Sequence, residues 1–318
     1  MLRITNKRGR FHIEGHRAEA GFLDVMKWQF SGQQARWPAW IENRTHPRPP
    51  QRVAGDRLLA TWIGHATVLI QTAGLNILTD PFLSLRASPV QWAGPKRVRA
   101  AALDAAALPP IDLILLSHNH YDHMDLPALR DIARHHRPHV VTPLGNARWI
   151  SKASPNFTID ELQWGGTIER DTAKIHVTPA LHWSKRNLWG ANTALWGAFV
   201  IETPGGVIYF AADTGFGEGQ TFKDIRAQFG PPRLSLLPIG AYEPRWFMKP
   251  HHMNPQEAAE AHLHLESRTS LAIHHATVQL TDEAIDAPAA ALRTALHARN
   301  IDPDRFLVPD AGQPVSIA

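Results

Sequence analysis

The stretch Ser117–Asp125, SHNHYDHMD, places His118, His120, Asp122 and His123 within six consecutive positions. It directly follows the apolar run Ile111–Leu116, IDLILL. A strand is expected to end there and to hold these side chains at the rim of a sheet, where open α/β sheets place their ligands. On an extended segment, two histidines spaced by two project to the same side. Asp122 and His123 follow a turn and can face a second ion. The other reading is a polar surface loop in a chain with 19 histidines.

Working outward favours a metal cage. His182 ends the run KIHVTPALH, Asp213 ends VIYFAAD, and His274 ends SLAIH. Ligand-type residues thus close three further strand-like runs. Counting donors, His118, His120 and His182 offer imidazoles to one ion. Asp122, His123 and His274 serve another, and Asp213 can bridge with its two oxygens. A set of nitrogen and oxygen donors without thiolate suits Zn²⁺, with iron or manganese as substitutes. In hydrolytic sites two such ions lie about 3.5–4 Å apart, with open positions for water. The pairs His135/His136 and His262/His264 lie in helix-like sequence and read as solvated faces.

The 318 residues are 44% hydrophobic and 19% charged, an ordinary globular balance with enough apolar material for a sizeable core. A net charge of +4 suits an anionic substrate or an anionic membrane surface. No Lys/Arg block calls for nucleic acid. The absence of cysteine excludes disulfides, thiolate ligands and a cysteine nucleophile. The N-terminal sequence has no apolar core of a secretory signal, and no run approaches the roughly 20 apolar residues of a membrane span. The expected location is cytoplasmic, with contact at the inner face of the membrane left open.

Residues 1–55 read as an arm that ends in the proline-rich HPRPPQR and packs on a main domain spanning 56–318. From Asp56 onward, apolar runs of strand length recur: LLATWIGHATVLIQT, LNILTDP, IDLILLS, HVVTP, AKIHVTPALH, LWGAFVIET, GVIYFAAD, LSLLPIG and SLAIHH. Helix signals lie between them. DLPALRDIARHH has Asp125 as N-cap, NPQEAAEAHLHLES has Asn254 as N-cap with Glu257 completing a capping box, and APAAALRTALHARN is a third. This alternation predicts an α/β or α+β sandwich.

The runs TWIGHATVLIQT, ILTDPFLSLRASP, GPKR, SHNHYDHMD, PALHWSKR, AADTGF, LPIGAYEPRWFMK, HHMNPQEA and LAIHHATVQL together resemble the metallo-β-lactamase superfamily. Within it they are similar to the N-acylphosphatidylethanolamine-hydrolysing phospholipase D family. The likeness covers most of residues 58–282. It implies a four-layer αββα sandwich with a binuclear zinc site held by His118, His120, Asp122, His123, His182, Asp213 and His274. It further implies a phosphodiesterase that attacks phosphorus with a metal-bound hydroxide, with Asp122 or Asp213 orienting the nucleophile. The family's additional active-site histidine falls on His252, and its substrate is a phospholipid with an N-acylated head group. Two alternatives stay open: a hydrolase of a carboxyl ester, lactone or β-lactam, and a metal-binding protein of the same fold without activity.

Other positions carry two readings each. His65 and Asp80 stand behind the metal, accepting or donating to ligands, or they satisfy a tight turn. Lys185, Arg186 and Arg245 hold a substrate phosphate or are surface cations. The tryptophan-bearing segment Trp28–Trp40 contacts membrane or caps the sandwich. A homodimer is an open possibility for the assembly.

Overall fold

The computed structural model describes residues 2–15, 27–28, 34–187 and 189–318. A hairpin of β1 (Ile4–Lys7) and β2 (Arg10–Ile13) comes first. The first large sheet is then built from β3 (Leu58–Gly64), β4 (Thr67–Thr72), β5 (Leu75–Thr79), β6 (Leu113–Leu115), β7 (His139–Pro143) and β8 (Thr158–Leu162). The second contains β9 (Thr167–Arg170), β10 (Ala173–Thr178), β11 (Ala198–Thr203), β12 (Gly206–Phe210), β13 (Leu234–Pro238), β14 (Thr269–Ile273) and β15 (Phe306–Leu307). The final strand β16 (Pro314–Ile317) returns to the first sheet and pairs antiparallel with β3. Each sheet has seven strands, antiparallel at one side and parallel at the other.

Among the described residues, helices α1 (Leu126–His135), α2 (Ala147–Ala153), α3 (Gln220–Phe229), α4 (Arg245–Met248), α5 (Pro255–Leu265) and α6 (Ala287–Ala298) cover the outside. The layering follows from the side-chain alternation of strands. Leu113 and Leu115 of β6 point inward, where they join Ile175, Phe199, Phe210 and Ile273 of the second sheet. Ile114, between them, points outward and packs with Leu129 and Ile132 of α1 and Ile150 of α2. The opposite outer face packs Tyr209 and Leu237 against Phe222 of α3, Leu265 of α5 and Leu292 of α6. Runs such as IDLILL are apolar throughout because both faces of their sheet are covered. The order is helices, sheet, sheet, helices, the expected αββα sandwich.

Both caps predicted for helix starts are present. Asp125 accepts from Ala128 N, and Asn254 and Glu257 form the reciprocal capping box. The expected solvated face at His262 is corrected. Its ring is buried, with Nδ1 2.8 Å from Ser270 Oγ, because α5 lies flat on β13 and β14 and this position faces the sheet.

The arm makes specific contacts with the rest of the chain. Ile4, Phe11 and Ile13 of the hairpin join the outer core of the second sheet. Trp28 Nε1 donates to Asp282 Oδ1 and Trp37 Nε1 to the Glu283 carbonyl, while Trp28 stacks on Phe247. Residues 29–33 of the expected Trp28–Trp40 contact lie outside the described residues. Among the described residues no helix is long and apolar enough to cross a membrane.

Candidate metal centre

Strand ends deliver the centre. Asp80 follows β5, the motif loop follows β6, His182 follows β10, Asp213 follows β12 and His274 follows β14 directly. His65 sits in the turn between β3 and β4. Three of these residues hold the left-handed backbone that side chains other than glycine rarely adopt: His65 at φ +57°, Asp80 at +28° and His274 at +59°. Such conformations persist where surrounding structure enforces them, and they cluster at functional sites.

Donor atoms converge in two groups. His118, His120, His182 and Asp213 form one, with ligand atoms all within 4.8 Å of one another. His65, Asp122, His123 and His274 form the other, under the same limit. Asp213 also reaches the second group. Its Oδ2 lies 3.0 Å from His123 Nε2 and 3.6 Å from His182 Nε2, and its Oδ1 lies 3.3 Å from His274 Nε2. One carboxylate therefore stands between both groups.

Asp80 fixes two of the imidazoles at once. It accepts from Ser117 N and Oγ at 2.7 and 2.6 Å, and from His123 Nδ1 at 2.7 Å. Ser117 Oγ spends its proton on Asp80, so it accepts from His118 Nδ1 at 2.8 Å. With their Nδ1 protons committed, His118 and His123 turn Nε2 toward the centre. His182 Nδ1 faces the His251 carbonyl at 3.2 Å, which sets the same tautomer. Outer partners of this kind orient metal-binding histidines and raise their basicity. His65 Nε2 approaches Asp122 Oδ2 at 2.8 Å, so it supports the second group through that carboxylate.

Electrostatics separate the two groups. Burial and the neighbouring imidazoles push His118 and His182 well below the ordinary histidine range, and burial brings His120 down to about 4. Burial also opposes charge on His123 and His274, but Asp213 and Asp122 overcome it. His123 is raised well above the ordinary range and His274 to about 9. Burial alone would raise Asp122 and Asp213, yet the adjacent histidines hold both well below the usual carboxylate range. The donor set fits cations: His118, His120 and His182 are held neutral and Asp122 and Asp213 anionic, the states in which imidazole and carboxylate bind metal.

The remaining sequence candidates take different places. His252 is buried, with its ring 5.1 Å from that of His182 and 5.4 Å from that of His274, and burial lowers it to about 3. His275 turns away and stacks on Trp62 at 4.7 Å. Arg245 donates to the His252 carbonyl at 2.9 Å and to Glu257 Oε2 at 2.7 Å, tying the His252 loop to the start of α5. Arg186 is buried, lies over the Tyr121 ring at 4.1 Å and donates to the carbonyls of Asn119 and Met124. It clasps the motif loop from outside. Lys185 is half-buried beside it. Sequence reasoning missed Ser117, the His251 carbonyl and Trp183, whose ring meets that of His120 edge-on at 4.7 Å. Only Ser117 had a signal, its place next to the first motif histidine.

Residues 75–275 match the Beta-lactamase superfamily domain. The chain belongs to that superfamily. It is 38% identical over 268 residues to N-acyl-phosphatidylethanolamine-hydrolyzing phospholipase D 1 of Caenorhabditis elegans, covering 80% of this chain and 75% of that one. It is 36% identical over 229 residues to the mitochondrial N-acyl-phosphatidylethanolamine-hydrolyzing phospholipase D of Saccharomyces cerevisiae, covering 70% of this chain and 48% of that one. Among solved structures it is similar to an isothiocyanate hydrolase from Delia radicum gut bacteria, with a TM-score of 0.65 at 22% identity over 82% of this chain and 99% of that one. The protein is a metal-dependent hydrolase of the superfamily, with the metallo-β-lactamase fold.

Asp80→Ala provides a test of the orienting chain. Losing one carboxylate frees His123 and the Ser117–His118 pair together. Metal affinity is expected to fall about 10–100-fold, by competition with a chromogenic chelator. An unchanged affinity would leave Asp80 as a turn residue only.

Proposed function

We propose that the protein is a binuclear zinc phosphodiesterase of phospholipase D type, acting on N-acylphosphatidylethanolamine-like phospholipids. The observation that carries the reading is Asp213 standing between two donor groups of N/O ligands, one of which includes a second carboxylate, Asp122. The 38% identity to a phospholipase D with that substrate in its name supports the lipid. Two zinc ions held there would lower the pKa of water to about 7 and polarise a phosphoryl oxygen. Donors of this type also accept iron or manganese.

The chain's own residues do the rest. His118, His120 and His182 would hold one ion, and Asp122, His123 and His274 the other, with Asp213 shared. Asp122 and Asp213 stay anionic and so can accept a hydrogen bond from water aligned for attack on phosphorus. His252, held neutral beside His182 and His274, can donate a hydrogen bond from its ring N–H to an oxygen of the substrate. The burial of the donor set keeps bulk water from competing with the phosphoryl group.

The test is direct. Elemental analysis of the purified chain should find about two zinc per chain. A panel of phospholipids, read by mass spectrometry, should yield phosphatidic acid and an N-acylethanolamine from the N-acylated member. Turnover of a β-lactam or lactone with none of any phosphodiester would replace this reading with carbonyl chemistry.

A further inference from the structure

The arm, the connection from β5 to β6 and helix α1 enclose a cleft of about 770 Å³, a volume that suits a small molecule. None of the donors of the metal centre lines it. Apolar surface comes from Trp40 of the arm and from Leu83 and Leu103 of the connection. Three arginines, Arg44, Arg48 and Arg97, share the lining with two aspartates. Both aspartates are engaged elsewhere: Asp104 Oδ1 accepts from Ala107 N at 2.8 Å, and Asp131 pairs with Arg134. Arg44 is paired with Asp310 at 3.1 Å. Arg48 is exposed and has no ion pair among the described residues.

Arg97 carries the argument furthest. It is only 2% exposed. Its Nη1 donates to the Leu83 carbonyl at 3.0 Å, while Nε and Nη2 are buried and bond to no group of the protein. The guanidinium lies over the Phe82 ring at 4.9 Å, and burial lowers it to about 10. Among the described residues no carboxylate stands within ion-pair reach of it. A buried cation with two unspent donors is costly to hold, and it calls for an acceptor from outside the chain.

The fold makes room for this arginine. Gly64 has φ +138°, and a Cβ there would lie 3.2 Å from Arg97 Nη2. The guanidinium is thus built in against the turn that carries His65, and Phe82 beneath it meets His65 edge-on. Several arginines around one recess suit a dianion better than a monoanion, and the guanidinium fork matches phosphate oxygens.

We infer that this cleft binds a small molecule carrying a phosphate group, with the phosphate met by Arg97 and Arg48 and the rest of the molecule lying against Trp40 and Leu103. The inference does not rest on the phosphodiesterase reading. A filled cleft would brace the His65 turn from behind. A metabolite could thereby act on the second donor group without entering the centre.

The metal-loaded full chain is titrated by calorimetry with inorganic phosphate, adenosine 5′-monophosphate and glycerol 3-phosphate. The two esters distinguish a flat ring on Trp40 from an aliphatic body. At least one should bind about tenfold or more tighter than inorganic phosphate and raise the thermal midpoint. R48E and R97K should each weaken that binding by about tenfold or more, the first by reversing charge and the second by removing the fork. R48E changes an exposed residue, so its own thermal midpoint should stay at the wild-type value; it keeps the test valid should R97K fail to fold. Wild-type affinity in R48E overturns the inference, as does binding of neither ester. Displacement of the bound ester by bis(4-nitrophenyl) phosphate would place it on the metals and overturn the inference as well.

Discussion

Asp213→Ala is expected to strip both cations from the protein and to lower phosphodiester turnover by at least about 10³-fold. The reason is geometric. Oδ2 of this residue faces His123 and His182, and Oδ1 faces His274, so one carboxylate serves donors of both groups. Its loss also removes the charge that does most to hold His123 and His274 protonated in the metal-free chain. Those imidazoles would then fall toward neutrality in a buried site with one anion fewer. The measurement is metal content after gel filtration in chelated buffer, beside turnover with added zinc. A variant that keeps about two zinc per chain would contradict the shared position of Asp213.

Metal uptake should divide into two steps that respond differently to pH. His118, His120 and His182 are neutral through the range pH 6–8, because burial holds His120 at about 4 and the other two well below the ordinary value. An ion entering that group displaces no imidazole proton. His123 and His274 carry protons there, with His274 raised to about 9, so an ion entering their group must release them. The second affinity should therefore rise up to about tenfold per pH unit for each proton released as pH increases toward 9. Calorimetric zinc titrations at pH 6 and pH 8, in buffers of different ionisation enthalpy, read both affinity and proton release. Equal proton release in both steps would refute the division.

The same groups predict how the metal-free chain behaves. A histidine raised in the folded state adds stability that is complete below the unfolded value near 6.5 and is lost as pH climbs through about 9. His65, His252 and His275 are lowered to about 3, so the unfolded chain binds more protons than the folded one below 6.5. Each then removes about 1.4 kcal/mol per pH unit as acid is added. With chelator present, thermal midpoints should fall on both sides of neutrality, and bound zinc should flatten the alkaline limb.

Much of this architecture was legible in the residues. Runs such as IDLILL and SLAIHH announced strands because two-sided burial demands continuous apolar sequence, and β6 and β14 lie there. The capping signals at Asp125 and Asn254 worked because a cap is local chemistry. What escaped is what depends on distant partners. β8 and β9 are mixed in polarity and half-buried at sheet edges, so their sequence carries no clean period. α3 starts after a glycine with no side-chain cap. His262 reads as a solvent residue until the sheet beneath α5 is known. At the centre, donor types and spacing could be read, while the Asp80–Ser117 relay needed three dimensions: 37 residues separate its members.

The return of β16 to pair with β3 has a consequence for how the polypeptide matures. Residues 58–64 emerge early, yet their outer neighbour is made only at positions 314–317. Throughout synthesis the nascent first half presents an open strand edge that other chains can join. Shortening the protein by its last handful of residues should thus harm yield and solubility more than it harms any chemistry at the opposite rim.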